Sequence, residues 1–196
     1  MFLVDTRNLG KQAQQEFHAF KPHGKETFFH ENHIVQRLNS STIDDAAEVC
    51  ICTIQRMYSI LSGKPMDESA EDLSLHEVKQ NKQQAKLVKY NPAVPIETFD
   101  FIIVDECHRS IYNLWKQVLD YFDAFIIGLT ATPDKRTLGF FNENIVAEYS
   151  YEDSVLDGVN VGYDVYEIET EIGNKGAELK AKEWLDDRDK FTRKKR

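Results

Sequence analysis

Two continuous apolar runs, Phe101 to Val104 and Ala124 to Leu129, frame a segment whose apolar residues recur at helical spacing. Ile111, Leu114, Trp115, Val118, Leu119 and Phe122 share one face of that segment, and Asn113, Lys116, Gln117 and Asp120 lie off it. Runs without polar alternation predict strands buried on both faces, so the unit reads as strand, helix, strand with a right-handed crossover between parallel strands. The same rhythm opens the chain. Phe2-Leu3-Val4 predicts a short strand, Asp5-Thr6-Arg7-Asn8 a turn and helix cap, and a helix then runs to about Phe20 with Leu9, Ala13, Phe17 and Phe20 as its inner stripe. Val49 to Thr53 predicts a further strand. The helix after it carries Ile54, Met57, Tyr58 and Leu61 on its apolar face and stops at Gly63 and Pro65. The expected fold class is therefore α/β, a parallel sheet flanked by helices.

Elsewhere the pattern weakens. His30 to Leu38 fits either element type, and Thr42 to Glu48 predicts a short helix. Met66 to Tyr90 is a break in composition, rich in Glu, Asp, Lys and Gln and poor in large apolar residues. Ser74 with Glu77 would cap a helical arm there, or the stretch is a partly disordered insertion. Asn91-Pro92 and Pro95 punctuate the return to the central strand. After the turn at Thr130 the expectation is a short helix from Asp134 to Leu138, a strand around Ile145 to Ala147, and a helix from Tyr151 to Leu156 ended by Gly158. Tyr163 to Thr170 alternates as a strand with one wet face would, and beyond Gly173 the sequence is polar and charged. The chain divides on this reading into a main domain, 1–150, and a connector with the first strand of a second domain, 151–196.

Composition narrows the class. At 196 residues, 41% hydrophobic and 29% charged, the chain is that of a soluble domain with a remnant of another. No apolar run suffices to cross a membrane and no signal-peptide pattern opens the sequence, so the expected location is cytoplasmic. The three cysteines, Cys50, Cys52 and Cys107, lie in or beside predicted strands and are expected to be buried free thiols. A net charge of −9 argues against coating nucleic acid by bulk attraction but leaves room for a local groove. The basic cluster Arg188 to Arg196 reads as a solvated tail.

Candidate chemistry sits at strand ends. The first apolar run stops in Asp105 and Glu106, and the next stops in Thr130-Ala131-Thr132-Pro133. Open α/β sheets bind ligands at that edge. Adjacent acids there suit magnesium-dependent phosphoryl chemistry, one carboxylate holding a hard cation and the other orienting and deprotonating a water. Against this, carboxylates at strand ends often merely cap the following helix. His23, His30 and His33 lack cysteine partners at metal-site spacing, and Cys50 and Cys52 share a strand face with no further ligands nearby. Solvated histidines and core thiols are the simpler readings.

The run Asp105-Glu106-Cys107-His108 resembles motif II of superfamily 2 helicases and translocases, and Thr130 to Thr132 resembles motif III. Val4 to Leu9 resembles motif Ia, and Cys52-Thr53-Ile54-Gln55 resembles motif Ib. More narrowly, Tyr90 to Pro133 and Tyr151 to Thr170 are similar to the motor (R) subunit of type I restriction endonucleases. The resemblance implies a RecA-like sheet and an ATP-dependent translocase of double-stranded DNA, working with methylation and specificity subunits. It implies Asp105 as the Mg2+ ligand, Glu106 as activator of the hydrolytic water, and His108, Thr130 and Thr132 as coupling residues. Arg7, Thr53 and Gln55 would lie along the duplex, touching phosphates; the simpler reading makes Arg7 a surface charge and the other two a strand end and a helix cap. Such motors hold ATP with a Gly-x-x-x-x-Gly-Lys-Ser/Thr loop. The dipeptides Gly10-Lys11, Gly24-Lys25 and Gly63-Lys64 do not complete it. The expectation is thus an internal part of such a subunit, without the phosphate loop, the nuclease domain or motifs IV to VI. The family's loop-bearing strand would neighbour the strand ending at Leu129, so an exposed apolar edge and self-association, or a partner strand, are expected there. A non-catalytic DNA-binding or assembly module remains the alternative. A metal hydrolase built on Asp105, Glu106 and His108 has less behind it.

Overall fold

A computed structural model describes residues 1–66, 68–72, 87–111 and 115–166. The chain falls into two compact units, Met1–Val146 and Ala147–Arg196. In the first, strands β1 (Phe2–Val4), β2 (Val35–Arg37), β3 (Val49–Thr53), β4 (Phe101–Val104) and β5 (Phe125–Gly128) form one sheet in the order β2-β3-β1-β4-β5. Every pairing is parallel, with Phe2 opposite both Ile51 and Ile103, and Ile102 opposite Ile126. Parallel neighbours need crossover connections: helices lie on those from β1 to β2, β3 to β4 and β4 to β5, while the segment 38–48 between β2 and β3 is irregular. This is a RecA-like α/β sheet: the parallel strands and flanking helices follow the apolar periodicities, and the RecA-like class is what the resemblance implies.

One face of the sheet is fully packed. Leu3, Cys50, Cys52, Ile102 and Val104 alternate along their strands and join a single core with Met57, Tyr58 and Leu61 of α3 (Ile54–Ser62). Val118 and Leu119 of α5 (Lys116–Tyr121) complete it, and Tyr58 meets Trp115 edge to face at 5.6 Å. Helix α3 ends at Gly63, which takes φ 62°, a left-handed value glycine adopts without steric cost. The other face is covered unevenly. Helix α1 (Arg7–Ala19), with Gly10 set tightly against Val4, packs over β1, β3 and β2. Among the described residues nothing comparable covers β4 and β5: Phe101 and Phe125 stack on each other at 5.6 Å and are 54% and 74% exposed. The inner stripe expected on α1 is correspondingly only half-buried, and Phe20 is exposed.

The remaining elements correct or refine the sequence reading. His30 to Leu38 resolves into α2 (Phe29–Asn32) and β2. Thr42 to Glu48 is not a helix; Asp44 Oδ1 accepts the Ala46 N–H and holds a turn, the local competition with helix that Asp side chains offer. The helix expected between the two apolar runs comprises α4 (Cys107–Ser110) and α5, and Asn113 and Leu114 lie outside the described residues. Asp134 caps α6 (Lys135–Phe140) through the Thr137 N–H at 2.7 Å. Ile145 to Ala147 is not a strand: Ile145 and Val146 are exposed, and among the described residues no strand lies beside this apolar triplet to give it a ladder. The arm expected at Ser74 to Glu77 lies outside the described residues.

In the second unit, α7 (Tyr151–Leu156) carries a capping box between Ser150 and Asp153, and Gly158 ends its turn at φ 70°. The alternating segment from Tyr163 forms no strand as far as Tyr166, and its remainder is not described. Tyr151 rests on Tyr163, ring centroids 5.3 Å apart, and its hydroxyl donates to the Val161 carbonyl. No helix among the described residues is long and apolar enough to cross a membrane.

Candidate functional site

Parallel strands put all their carboxyl ends on one edge, and there the sheet gathers its polar residues. Asp5 follows β1, Thr53 ends β3, Asp105 and Glu106 follow β4, and Thr130 follows β5. Backbone bonds lock the ends together: the Asp105 N–H donates to Leu3 O, and the Cys107 N–H to Leu129 O, both at 2.9 Å.

Asp105 and Glu106 occupy a sharp strand-to-helix turn. Glu106 adopts φ 48° and ψ 44°, a left-handed conformation that costs a non-glycine residue on the order of 1 kcal/mol or more. Its N–H donates to Asp105 Oδ1 at 3.0 Å, and its side chain makes no cap to α4. The carboxylate is left half-exposed, with Oε2 3.3 Å from His108 Nδ1. Arg109 Nε donates to His108 Nε2 at 3.4 Å, so the ring turns Nδ1 toward Glu106 and Thr130. That Nδ1 lies 2.9 Å from Thr130 Oγ1, which also accepts the Thr132 N–H at 3.1 Å. Glu106, His108, Thr130 and the Thr132 backbone thus form one chain from the end of β4 to the end of β5. The Thr132 side chain itself is exposed.

A second cluster lies at the ends of β1 and β3. Glu71, from a 3₁₀ turn (Glu68–Asp72) in the polar insertion, is 2% exposed. It accepts from Thr53 Oγ1 at 2.5 Å, from Arg56 Nε and Nη2 at 2.9 and 2.6 Å, and from Arg7 Nη2 at 3.2 Å. Thr53 in turn caps α3 through the Arg56 N–H. Burial pushes the Glu71 carboxyl up, but hydrogen bonds from Arg56 and Thr53 and the charges of Arg56 and Arg7 outweigh it, so the group titrates below its ordinary value. Gln55 is buried, its Nε2 donating to the Asp5 carbonyl at 3.0 Å and its Oε1 lacking a hydrogen-bond partner among the described residues. The residues expected along a duplex therefore differ in access: Arg7 is partly exposed, while Thr53 and Gln55 are buried in contacts within the chain.

Asp5 and Arg109 join the two clusters. Arg109 Nη1 reaches Asp5 Oδ2 at 2.7 Å while its Nε holds His108, so one guanidinium spans the ends of β1 and β4. Neither residue stands out in the sequence reading, although Asp5 ends an apolar run just as Asp105 does. Glu71 and Arg56 are equally inconspicuous there, because one acid among many in a charged stretch carries no periodic mark. The cysteines are buried free thiols, and burial raises those of Cys50 and Cys107 to about 11. No group of three or more potential metal-binding side chains occurs among the described residues. His33 stacks on Phe29 and pairs with Glu48, and His30 stacks on His18.

Comparison with known proteins bears on this arrangement. Residues 1–135 match the family model described as type III restriction enzyme, res subunit. The chain is 27% identical over 187 residues to the type I restriction enzyme EcoKI endonuclease subunit of Escherichia coli, covering 84% of this chain and 13% of that protein. It is 26% identical over 184 residues to the EcoAI endonuclease subunit of the same species, covering 90% and 18%. For the SauMSSORF170P endonuclease subunit of Staphylococcus aureus the figures are 27% over 180 residues, 87% and 16%. The chain thus spans less than a fifth of the length of these relatives. No solved structure matches it. The family model runs through every strand of the sheet and both groups of strand-end residues, and the chain belongs to that family of restriction-enzyme subunits, with homology to the endonuclease subunits of type I enzymes.

Proposed function

We propose that residues 1–150 form part of the first motor domain of a type I restriction enzyme subunit that couples ATP hydrolysis to movement along double-stranded DNA. The whole subunit would work beside methylation and specificity subunits. The observation that carries this reading is the bonded chain from Glu106 through His108 to Thr130. It gives an acid beside the reacting water a direct line to the neighbouring strand end, so a change at one is felt at the other.

The residues present fit magnesium better than they fit the nucleotide. Magnesium is held by one or two carboxylates with water and phosphate oxygens completing the shell, and Asp105, partly exposed beside Glu106, suits that share. When bound, the ion would neutralise charge developing on a phosphoryl group. A cradle for the phosphates is not among these residues: Gly10 is buried within α1, and Gly24 and Gly63 sit in positive-φ turns. Glu106 would orient a water and take its proton, and its left-handed backbone keeps the carboxylate off the helix end and free for that task. His108, with Nδ1 between Glu106 and Thr130, would report the state of the acid to the loop through Thr132. Arg7 would meet backbone phosphate at the far side of the same edge, near Thr53 and Gln55.

The test is ATP turnover by the complete subunit with and without duplex DNA, comparing the wild type with Glu106→Gln. We expect turnover to fall by about 10²–10⁴-fold, with nucleotide binding held within a few-fold. Residues 1–196 alone are expected to turn over no ATP. Turnover by the complete subunit that survives Glu106→Gln would remove Glu106 from the chemistry and favour a non-catalytic DNA-binding module.

A further inference from the structure

The second cluster is a built anion site with an internal occupant. Arg7 and Arg56 converge on one point with the Thr53 hydroxyl and the first turn of α3, and Arg37 borders the same small void beside Glu71. Guanidinium forks and a hydroxyl at a helix start are the donors that bind phosphate oxygens. Here a carboxylate takes them. Within the polar stretch from Met66 to Tyr90, Glu71 is the one charged residue buried among those described. Asp72 lies 3.6 Å from Arg7 Nε, so the 3₁₀ turn sets two negative charges against these guanidinium groups.

We infer that the 3₁₀ turn carrying Glu71 is an intramolecular latch, competing with phosphate for a site made by Arg7, Thr53 and Arg56. With the latch seated, the Arg7, Arg56 and Thr53 donors hold a carboxylate and Thr53 is buried; with it displaced, a phosphate takes the place of that carboxylate. In the motor reading, on which this part rests, the displacing phosphate belongs to the DNA backbone, and binding of the track releases the turn Glu68–Asp72. A ligand that finds its site mostly closed binds more weakly by the closed fraction. Neutralising Glu71 should therefore tighten binding without adding a single contact.

Two probes separate the latch from the motor reading. The first is inorganic phosphate, read as the shift in thermal midpoint against chloride at matched ionic strength. The second is a random-sequence duplex, read by fluorescence anisotropy. For Glu71→Gln we expect stabilisation by phosphate that the wild type lacks, and duplex binding tighter by about tenfold or more at low salt. A gain with phosphate but no duplex binding by either protein would uphold the latch and sink the DNA reading for this face. Duplex binding by the wild type with no gain from Glu71→Gln on either probe would sink the latch and leave the DNA reading intact. Should the variant fail to fold, hydrogen exchange on the wild type decides: duplex or phosphate must lower protection across Glu68–Asp72, and unchanged or raised protection overturns the proposal.

Discussion

At the scale of single residues, the charged groups do different work according to their partners. Glu71 is buried and accepts from Arg56, Arg7 and Thr53, so neutralising it weakens charge-assisted hydrogen bonds in a buried site, and Glu71→Gln should cost on the order of 1–3 kcal/mol at neutral pH. The sign of the pH dependence follows from the lowered titration of this carboxyl. Its folded value lies below the ordinary 4.5, so its contribution is complete above that value and is lost as pH falls through the lowered one. Chemical denaturation of the two proteins should show a gap at pH 7 that closes on acidification; a gap that persists at low pH would mean the carboxylate charge is not its source. His108 differs, for it bridges two strand ends, 3.3 Å from Glu106 and 2.9 Å from Thr130. Replacing it with Ala would cut the bridge from Glu106 to Thr130, and in the complete subunit should reduce DNA stimulation of ATP turnover more than basal turnover. Equal loss in both would make His108 a support for Glu106 alone.

At the scale of elements, close approach at the end of β5 governs what that strand tolerates. A Cβ at Gly128 would lie 2.5 Å from the Phe141 ring and 2.8 Å from Cys107 Sγ, nearer than atoms pack. Gly128→Ala should cost about 1–3 kcal/mol in denaturant unfolding, because the ring after α6 and the thiol opening α4 must both give way. A neutral result would mean that Phe141 moves freely. Elements with a strong repeat are legible in the sequence alone: β1, β3, β4 and β5 and the faces of α1 and α3 follow from runs and spacing. Thr42–Glu48 and Ile145–Ala147 are not, since a side-chain turn at Asp44 and the lack of a neighbouring strand among the described residues are matters of context. Of the candidate site, the strand-end acids and the threonines at 130 and 132 are legible, because each follows an apolar run.

At the scale of the molecule, the open half of the sheet stands out. Among the described residues β5 is the edge strand, and Phe125, Ile127 and Leu129 are exposed along it beside Phe101. An apolar edge with unpaired backbone groups is a template for another strand. Sedimentation over a wide concentration range should show self-association, and Phe125→Lys with Ile127→Lys should shift the chain toward monomer. A strictly monomeric wild type would count against this edge as a contact surface.

Local pattern was enough to determine that this chain builds parallel strands with acids at their carboxyl ends, because burial on both faces and helical spacing are written into neighbouring residues. The family resemblance rode on the same runs. Only the tertiary structure decided which charges meet. Glu71 with Arg7, Thr53 and Arg56, and Asp5 with Arg109, pair residues from different elements. The energy of each pair depends on distance and burial, neither of which a linear sequence carries.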